Sequence, residues 1–285
     1  MQKIKSFFEK TISLNGKLFI WWRFLFGVYF MYYSIRMIPY VEELYGESGI
    51  VSDISLNWTY GLFPNIFSVF PGAGTAFILY VGIIIFAGLL AFGYVPRISA
   101  LGIWYAQTAL YNRDILTSEP SLAFVGLLLV TLALVPNQPK LSLKKTKEKV
   151  VVPYFVFFLP VIIFCLTFTV SALDKTISSS WISGTALIHM LDMGIMKDNF
   201  IAHFFYAHSE VTSIASYLAM FVQLVCLPLL ILGLYRVALL LNMAAFICIF
   251  YLIDINQVIY GMLFFYSFFL LDVDFSKNAK QYLFS

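Results

Sequence analysis

Charge is what this sequence has least of. Asp, Glu, Lys and Arg make up 12% of its 285 residues, against 61% hydrophobic residues. So little charge cannot cover that much apolar side chain in water, which excludes a soluble globular domain. The net charge of +3 is small and by itself says nothing about nucleic acid, and no nucleic-acid partner is expected. Cysteine is scarce as well. Cys165, Cys226 and Cys248 lie singly in apolar runs, which argues against a disulfide framework and against a cysteine-based metal site. No small-residue cleavage site follows the first apolar run, so that run reads as a retained signal anchor. No internal repeat is visible, and an inverted-repeat transporter therefore finds no support.

What the sequence has in abundance is apolar and aromatic, with 30 Phe and 18 Tyr. The expected fold is an all-α integral membrane protein of about eight transmembrane helices. They are expected near residues 18–38, 75–93, 98–111, 121–135, 153–170, 213–232, 237–253 and 257–271. Ahead of them, residues 1–16 set Ile4, Phe7, Phe8 and Ile12 against Lys3, Lys5, Glu9 and Lys10, a pattern suited to an amphipathic interfacial helix. Residues 17–285 are expected to form a single polytopic membrane domain.

The lysines and arginines test this count. They precede the first stretch (Lys3, Lys5, Lys10, Lys17) and recur after every second one: Arg97, then Lys140–Lys149, then Arg236, then Lys277 and Lys280. Both termini are accordingly expected in the cytoplasm, with a bacterial cytoplasmic membrane as the location. The lysines of 140–149 set topology and attract anionic lipid rather than a dedicated ligand. The outer side then carries a cap at 39–74, with an Asn57-Trp58-Thr59 sequon, a short turn at 112–120, and a segment at 174–210. That last segment is neither a comfortable span nor an ordinary loop, and it is expected to be interfacial or re-entrant.

All three histidines, His189, His203 and His208, fall in the 174–210 segment, with Asp174, Lys175, Trp181, Asp192 and, beside it, Glu210. Lys175 reads either as the partner of Asp174 in an interfacial ion pair or as a lysine partly desolvated by Trp181, able to act as a base. The run Ser178–Gly184 reads as a tight helix start capped by Ser180 or Ser183, with Gly184 permitting close backbone packing. The histidine spacings match no closed zinc pattern. No metal is expected, and the histidines read as solvated interfacial groups or as substrate contacts. Asn112-Arg113-Asp114 reads as a turn with a local Arg–Asp pair, or as an arginine at the outer mouth holding an anionic oxygen. Arg36 reads as an arginine reaching its own interface. Arg23 lies deeper, where an arginine is costly unless paired, and an inter-helix role with nearby Gly27 is expected. Asp254, Asn256 and Gln257 read as the outer turn of the last helical hairpin.

Four stretches together resemble the horizontally transferred transmembrane domain family, the membrane part of vitamin K-dependent γ-carboxylases and their bacterial relatives. They are Arg23-Phe-Leu-Phe-Gly27; Asn112-Arg113-Asp114-Ile115 with the apolar run ending in Leu134-Val135-Pro136; the aromatic-rich segment after the first span; and Ala172-Leu-Asp-Lys175 with Trp181-x-x-Gly184. The resemblance covers roughly residues 15–200. It implies Lys175 as a base, with a reduced quinone as cofactor. Beside what the resemblance implies, His189 is the further catalytic candidate, and Asn112, Arg113, Trp181, Gly184, Asp192, His203 and His208 are the candidate substrate-binding residues of an outer pocket.

One departure stands out: the carboxylases have two adjacent lysines, and Thr176 occupies the place of the second, catalytic one. The 285 residues also end soon after the eighth apolar run, so a full γ-carboxylase is not expected. The length is similar to the B-type maturation proteins of sporulation-delaying toxin systems. Extracytoplasmic maturation of a secreted peptide, with a second protein encoded nearby, is the leading expectation. Its alternatives are a non-catalytic assembly or immunity subunit and a quinone-linked membrane redox protein.

Overall fold

A computed structural model describes residues 10–46, 49–50, 64–114, 120–141 and 149–271. Most of the expected N-terminal surface helix, the sequon, the Lys144–Lys147 lysines and the C-terminal Lys277 and Lys280 lie outside those residues. Where the N-terminal segment is described it departs from the expectation. Thr11–Asn15 is a strand, β1, antiparallel to β2 at Lys149–Pro153, with Ile12 opposite Val152 and Leu14 opposite Val150. Thr-Ile-Ser-Leu alternates with period two, and Val150, Val151 and Val152 are β-branched, so each segment suits a pleated partner better than a helix surface.

Each of the eight expected apolar stretches is helical. Among the described residues, five helices are long and apolar enough to cross a membrane: Gly16–Tyr45, Ala73–Phe92, Tyr154–Lys175, Ser209–Ile231 and Tyr235–Leu252. The chain divides into two units, Met1–Val156 with Leu271–Val273, and Phe157–Leu270 with Asp274–Ser285.

The first unit contains α1 (Gly16–Met37), α2 (Val41–Tyr45), α3 (Ala73–Phe92), α4 (Pro96–Arg113) and α5 (Pro120–Leu134). Asn15 caps α1, its side chain accepting from the Lys17 and Leu18 amides, which satisfies two of the donors left without a partner at the helix start. At Gly27, α1 and α3 lie close together. A Cβ there would lie 2.6 Å from the Ala87 carbonyl and 2.8 Å from the Ala91 Cβ, so only glycine allows this approach. Helix α3 ends on Gly93 in the left-handed region, the Tyr94 amide reaching back to the Leu89 carbonyl. Pro96 opens α4, so a glycine just past one helix and a proline at the start of the next make the turn.

The second unit holds α6 (Tyr154–Lys175, whose first turn belongs to the first unit), α7 (Ser179–Ile182), α8 (Ala186–Met190), a π-type turn (Leu191–Ile195), α9 (Phe200–Ala207), α10 (Ser209–Leu224), α11 (Cys226–Ile231), α12 (Tyr235–Leu252) and α13 (Asn256–Phe269). Aromatic pairs join α6 to α13 and to α12, Phe164 with Phe265 and Tyr266, and Phe168 with Phe246. The 174–210 segment thus folds as short helices, and its core side chains Leu187, Leu191 and Ala202 pack with Leu252 and Ile253.

The expected polar turn after α12 does more than join two helices. Met196 and Ile253 form an antiparallel bridge, the Lys197 amide donates to the Leu252 carbonyl, and the Asp254 amide donates to the Ile195 carbonyl. The Lys197 ammonium and the Asn199 amide donate to the Phe250 and Tyr251 carbonyls, each at 2.7 Å. The last carbonyls of α12, orphaned by helix geometry, are met by residues some fifty positions earlier in the chain. A cation at that end also complements the helix dipole.

Candidate functional site

The site is built where α6 ends. Lys175 is the last residue of α6, and its ammonium donates to the Ser171 hydroxyl at 2.7 Å, to the Ser171 carbonyl at 3.3 Å and to Gln223 Oε1 at 2.8 Å. The Trp181 ring centroid lies 5.2 Å from the nitrogen, within cation–π range. Three acceptors match the three N–H directions of an ammonium. The expected Asp174–Lys175 ion pair is not formed: Gln223 meets the ammonium, and Asp174 is exposed. Two helices are stitched together here, α6 through Lys175 and α10 through Gln223.

Gln223 sits on an opened turn. Pro228 has no N–H to offer the Leu224 carbonyl, and the helix breaks between α10 and α11. Into the break goes Thr169 of α6, its hydroxyl accepting from the Leu227 amide at 3.1 Å and donating to the Gln223 carbonyl at 3.5 Å. Deeper in the same unit, buried Asn242 donates to the Ala238 carbonyl and to Cys226 Sγ, each at 2.9 Å. Thr169, Gln223 and Asn242 were not singled out from the sequence. Each is a lone polar side chain in an apolar run, the kind of residue that membrane energetics marks as paired or functional.

The Trp-x-x-Gly run is fixed by backbone geometry. Gly184 has φ +74°, and a Cβ on it would sit 3.0 Å from the Ser213 Cβ. The Tyr217 hydroxyl of α10 donates to the Ile182 carbonyl at 2.8 Å, and the Leu187 amide donates to the Ser216 hydroxyl at 3.2 Å. Small hydroxyl residues on α10 therefore receive the α7–α8 turn. Neither Ser180 nor Ser183 caps α7. Ser178 stands at its start, and Ser183 bonds the Ser180 carbonyl and the Thr185 hydroxyl instead.

The other candidates of the segment are exposed and separate. His189 lies in the last turn of α8, His203 pairs with Asp198 at 2.8 Å, and the His208 ring lies tilted against Phe204 with centroids 4.5 Å apart. Asp192 lies in the π-type turn and accepts a hydrogen bond from Tyr206, which holds the Tyr206 phenol above its usual pKa because the adjacent carboxylate disfavours a phenolate. Among the described residues, no three His, Cys, Asp or Glu side chains converge on a metal position.

In the first unit, Arg23 is fully buried and donates to the Pro139 carbonyl at 2.7 Å, with Phe19 beneath it. It ties α1 to the non-helical segment after α5. Arg36 is exposed and reaches Tyr32, its own neighbour one turn back. Asn112, Arg113 and Asp114 are all buried at the end of α4, Asn112 donating to the Thr108 carbonyl. Tyr45 and Tyr80 share a buried hydrogen bond at 3.2 Å. These belong to a different unit from Lys175.

Five helices of membrane-spanning length and an apolar composition define an integral membrane protein of the helical class. No family model, no curated protein and no solved structure matches the chain.

Proposed function

We propose that the chain crosses the bacterial cytoplasmic membrane eight times with both termini in the cytoplasm, and takes part in the extracytoplasmic maturation of a secreted peptide, as a short member of the γ-carboxylase-like superfamily. The positions of lysine and arginine support the topology, and it puts Lys175 and the 174–210 helices on the outer side. The observation that carries the reading is the Lys175 ammonium, held at the end of a membrane helix by Ser171 and Gln223 and flanked by Trp181. A cation fixed there is suited to hold a carboxylate or carbonyl oxygen of an arriving peptide, and Trp181 offers it an apolar wall. To act as a base the amine would first have to lose a proton, whereas attracting a peptide carboxylate needs only the charge of the ammonium, so orientation of the peptide is the role favoured here.

A second reading is a non-catalytic assembly subunit, favoured by the same saturation of the Lys175 hydrogen bonds: a side chain with every N–H engaged also serves as a strut. One experiment separates them. Lys175→Ala and Lys175→Arg would be compared with wild type and with a deletion, in cells carrying the neighbouring genes, by mass spectrometry of secreted peptides. Membrane protein level is the control. The first reading expects a changed peptide mass or processing state in Lys175→Ala at unchanged protein level. Peptides altered in the deletion but normal in both variants would sink it and leave the subunit.

A further inference from the structure

Between α4 and α5 in the first unit lies a groove of about 440 Å³, within the size range of small-molecule sites. One wall carries Trp104, Gln107, Thr108 and Tyr111, and the other is opened by Ala123 and Gly126. None of its described lining residues is charged. Gln107 is 6% exposed, and its amide N–H reaches the Tyr111 hydroxyl at 3.5 Å. Its carbonyl oxygen accepts no hydrogen bond from any described residue and is not sealed off from the groove, so a donor in the groove can reach it. The Thr108 hydroxyl is already spent on the Trp104 carbonyl, so it does not supply that donor.

We infer that this groove binds an uncharged single-chain lipid with a hydroxyl head, of the monoacylglycerol type. The absence of a charged described lining residue disfavours a phosphate or ammonium head, which would be desolvated without a counter-charge. A hydroxyl donates to Gln107 Oε1 and accepts from the amide beside it. The chain lies over Ala123, Gly126, Leu127 and Val130. The site is independent of the peptide reading and involves none of the residues on which that reading rests.

The test uses the full-length protein in lipid nanodiscs with a monoacylglycerol carrying a diazirine on its chain, and maps the labelled peptides by mass spectrometry. Labelling is expected on the segments 104–111 and 122–130. Gly126→Leu, which fills the groove, should lower it about tenfold, and Gln107→Leu about fivefold, the loss of one hydrogen bond of about 1 kcal/mol. Gly126→Ala is the folding control, because its added carbon would meet Trp104 at an ordinary 3.6 Å. Unlabelled monoacylglycerol should compete, and the methyl ester of the same chain, which lacks the hydroxyl, should not. Equal competition by the methyl ester, labelling unchanged in Gln107→Leu, or labelling spread evenly over all helices would each overturn the assignment. Should Gly126→Leu fail to fold, the Gln107→Leu and competition arms still decide.

Discussion

Replacing Lys175 by methionine keeps the length of the side chain and removes everything its nitrogen does. The nitrogen makes two short contacts, 2.7 Å to the Ser171 hydroxyl and 2.8 Å to Gln223, and lies over Trp181. Hydrogen bonds from a charged donor contribute about 1.5–3 kcal/mol each in buried surroundings. Lys175 and Gln223 are only half-buried, so solvent screening brings each toward or below the lower end. The sum is about 2–3 kcal/mol for Lys175→Met, most of it lost between α6 and α10. Gln223→Leu should cost about 1–2 kcal/mol, since it leaves one N–H without its acceptor. The double variant should cost less than the sum by about 1 kcal/mol, because each single change already removes the shared contact. The assay is reversible unfolding in mixed micelles, followed by tryptophan fluorescence. Additivity to within about 0.3 kcal/mol would refute the pairing of Lys175 with Gln223.

Other perturbations test other parts of the structure. Thr169→Val is nearly the same shape but cannot fill the break in α10–α11, and a loss of about 1–3 kcal/mol is expected in the same unfolding assay. Gly184→Ala should cost about 1–3 kcal/mol through its left-handed backbone and its contact with Ser213, and a wild-type melting curve would count against both arguments. Asn199→Ala removes both the cap of α9 and a partner of the α12 end, so faster amide exchange is expected at Ala202, with a loss of about 1–2 kcal/mol. Tyr206, neutral next to the Asp192 carboxylate, should titrate above the ordinary tyrosine range. The raised folded value means that its contribution is complete below the ordinary pKa of about 10 and fades only above it. Asp192→Asn should bring the tyrosine signal back down in a carbon-13 NMR titration, and no shift would refute the hydrogen bond.

The long elements were legible because hydrophobicity alone writes them. The eight apolar runs are helices, and Gly184 of Trp181-x-x-Gly184 was readable as a place of close packing, where an added Cβ would lie 3.0 Å from the Ser213 Cβ; its positive φ was not. The strand pair was not. Thr11–Asn15 is short, and its partner at Lys149–Pro153 lies far along the chain, so the charged and apolar residues before it made a helix look better. The site was legible only in part. Lys175 and Trp181 are close in sequence, and a local turn was enough to suggest their contact. Gln223 is 48 residues away, and nothing in periodicity says which face of α10 meets α6. The Asn199 and Lys197 contacts to α12 were hidden for the same reason: a helix end advertises its need for partners but not their address.

Thr169 and Lys175 are two attachments on one helix, six residues and about 9 Å of rise apart, and both are made to the opened turn around Gln223. Sliding α6 along its partner by one turn, about 5.4 Å, would strip the hydroxyl from the break and the ammonium from its acceptor together. Apolar helix faces have no such preference, since leucine and phenylalanine pack acceptably at several offsets in a medium as oily as themselves. The two polar attachments act as a vernier. They select one offset among many that greasy surfaces alone would tolerate, and in selecting it they fix where Lys175 stands at the helix end.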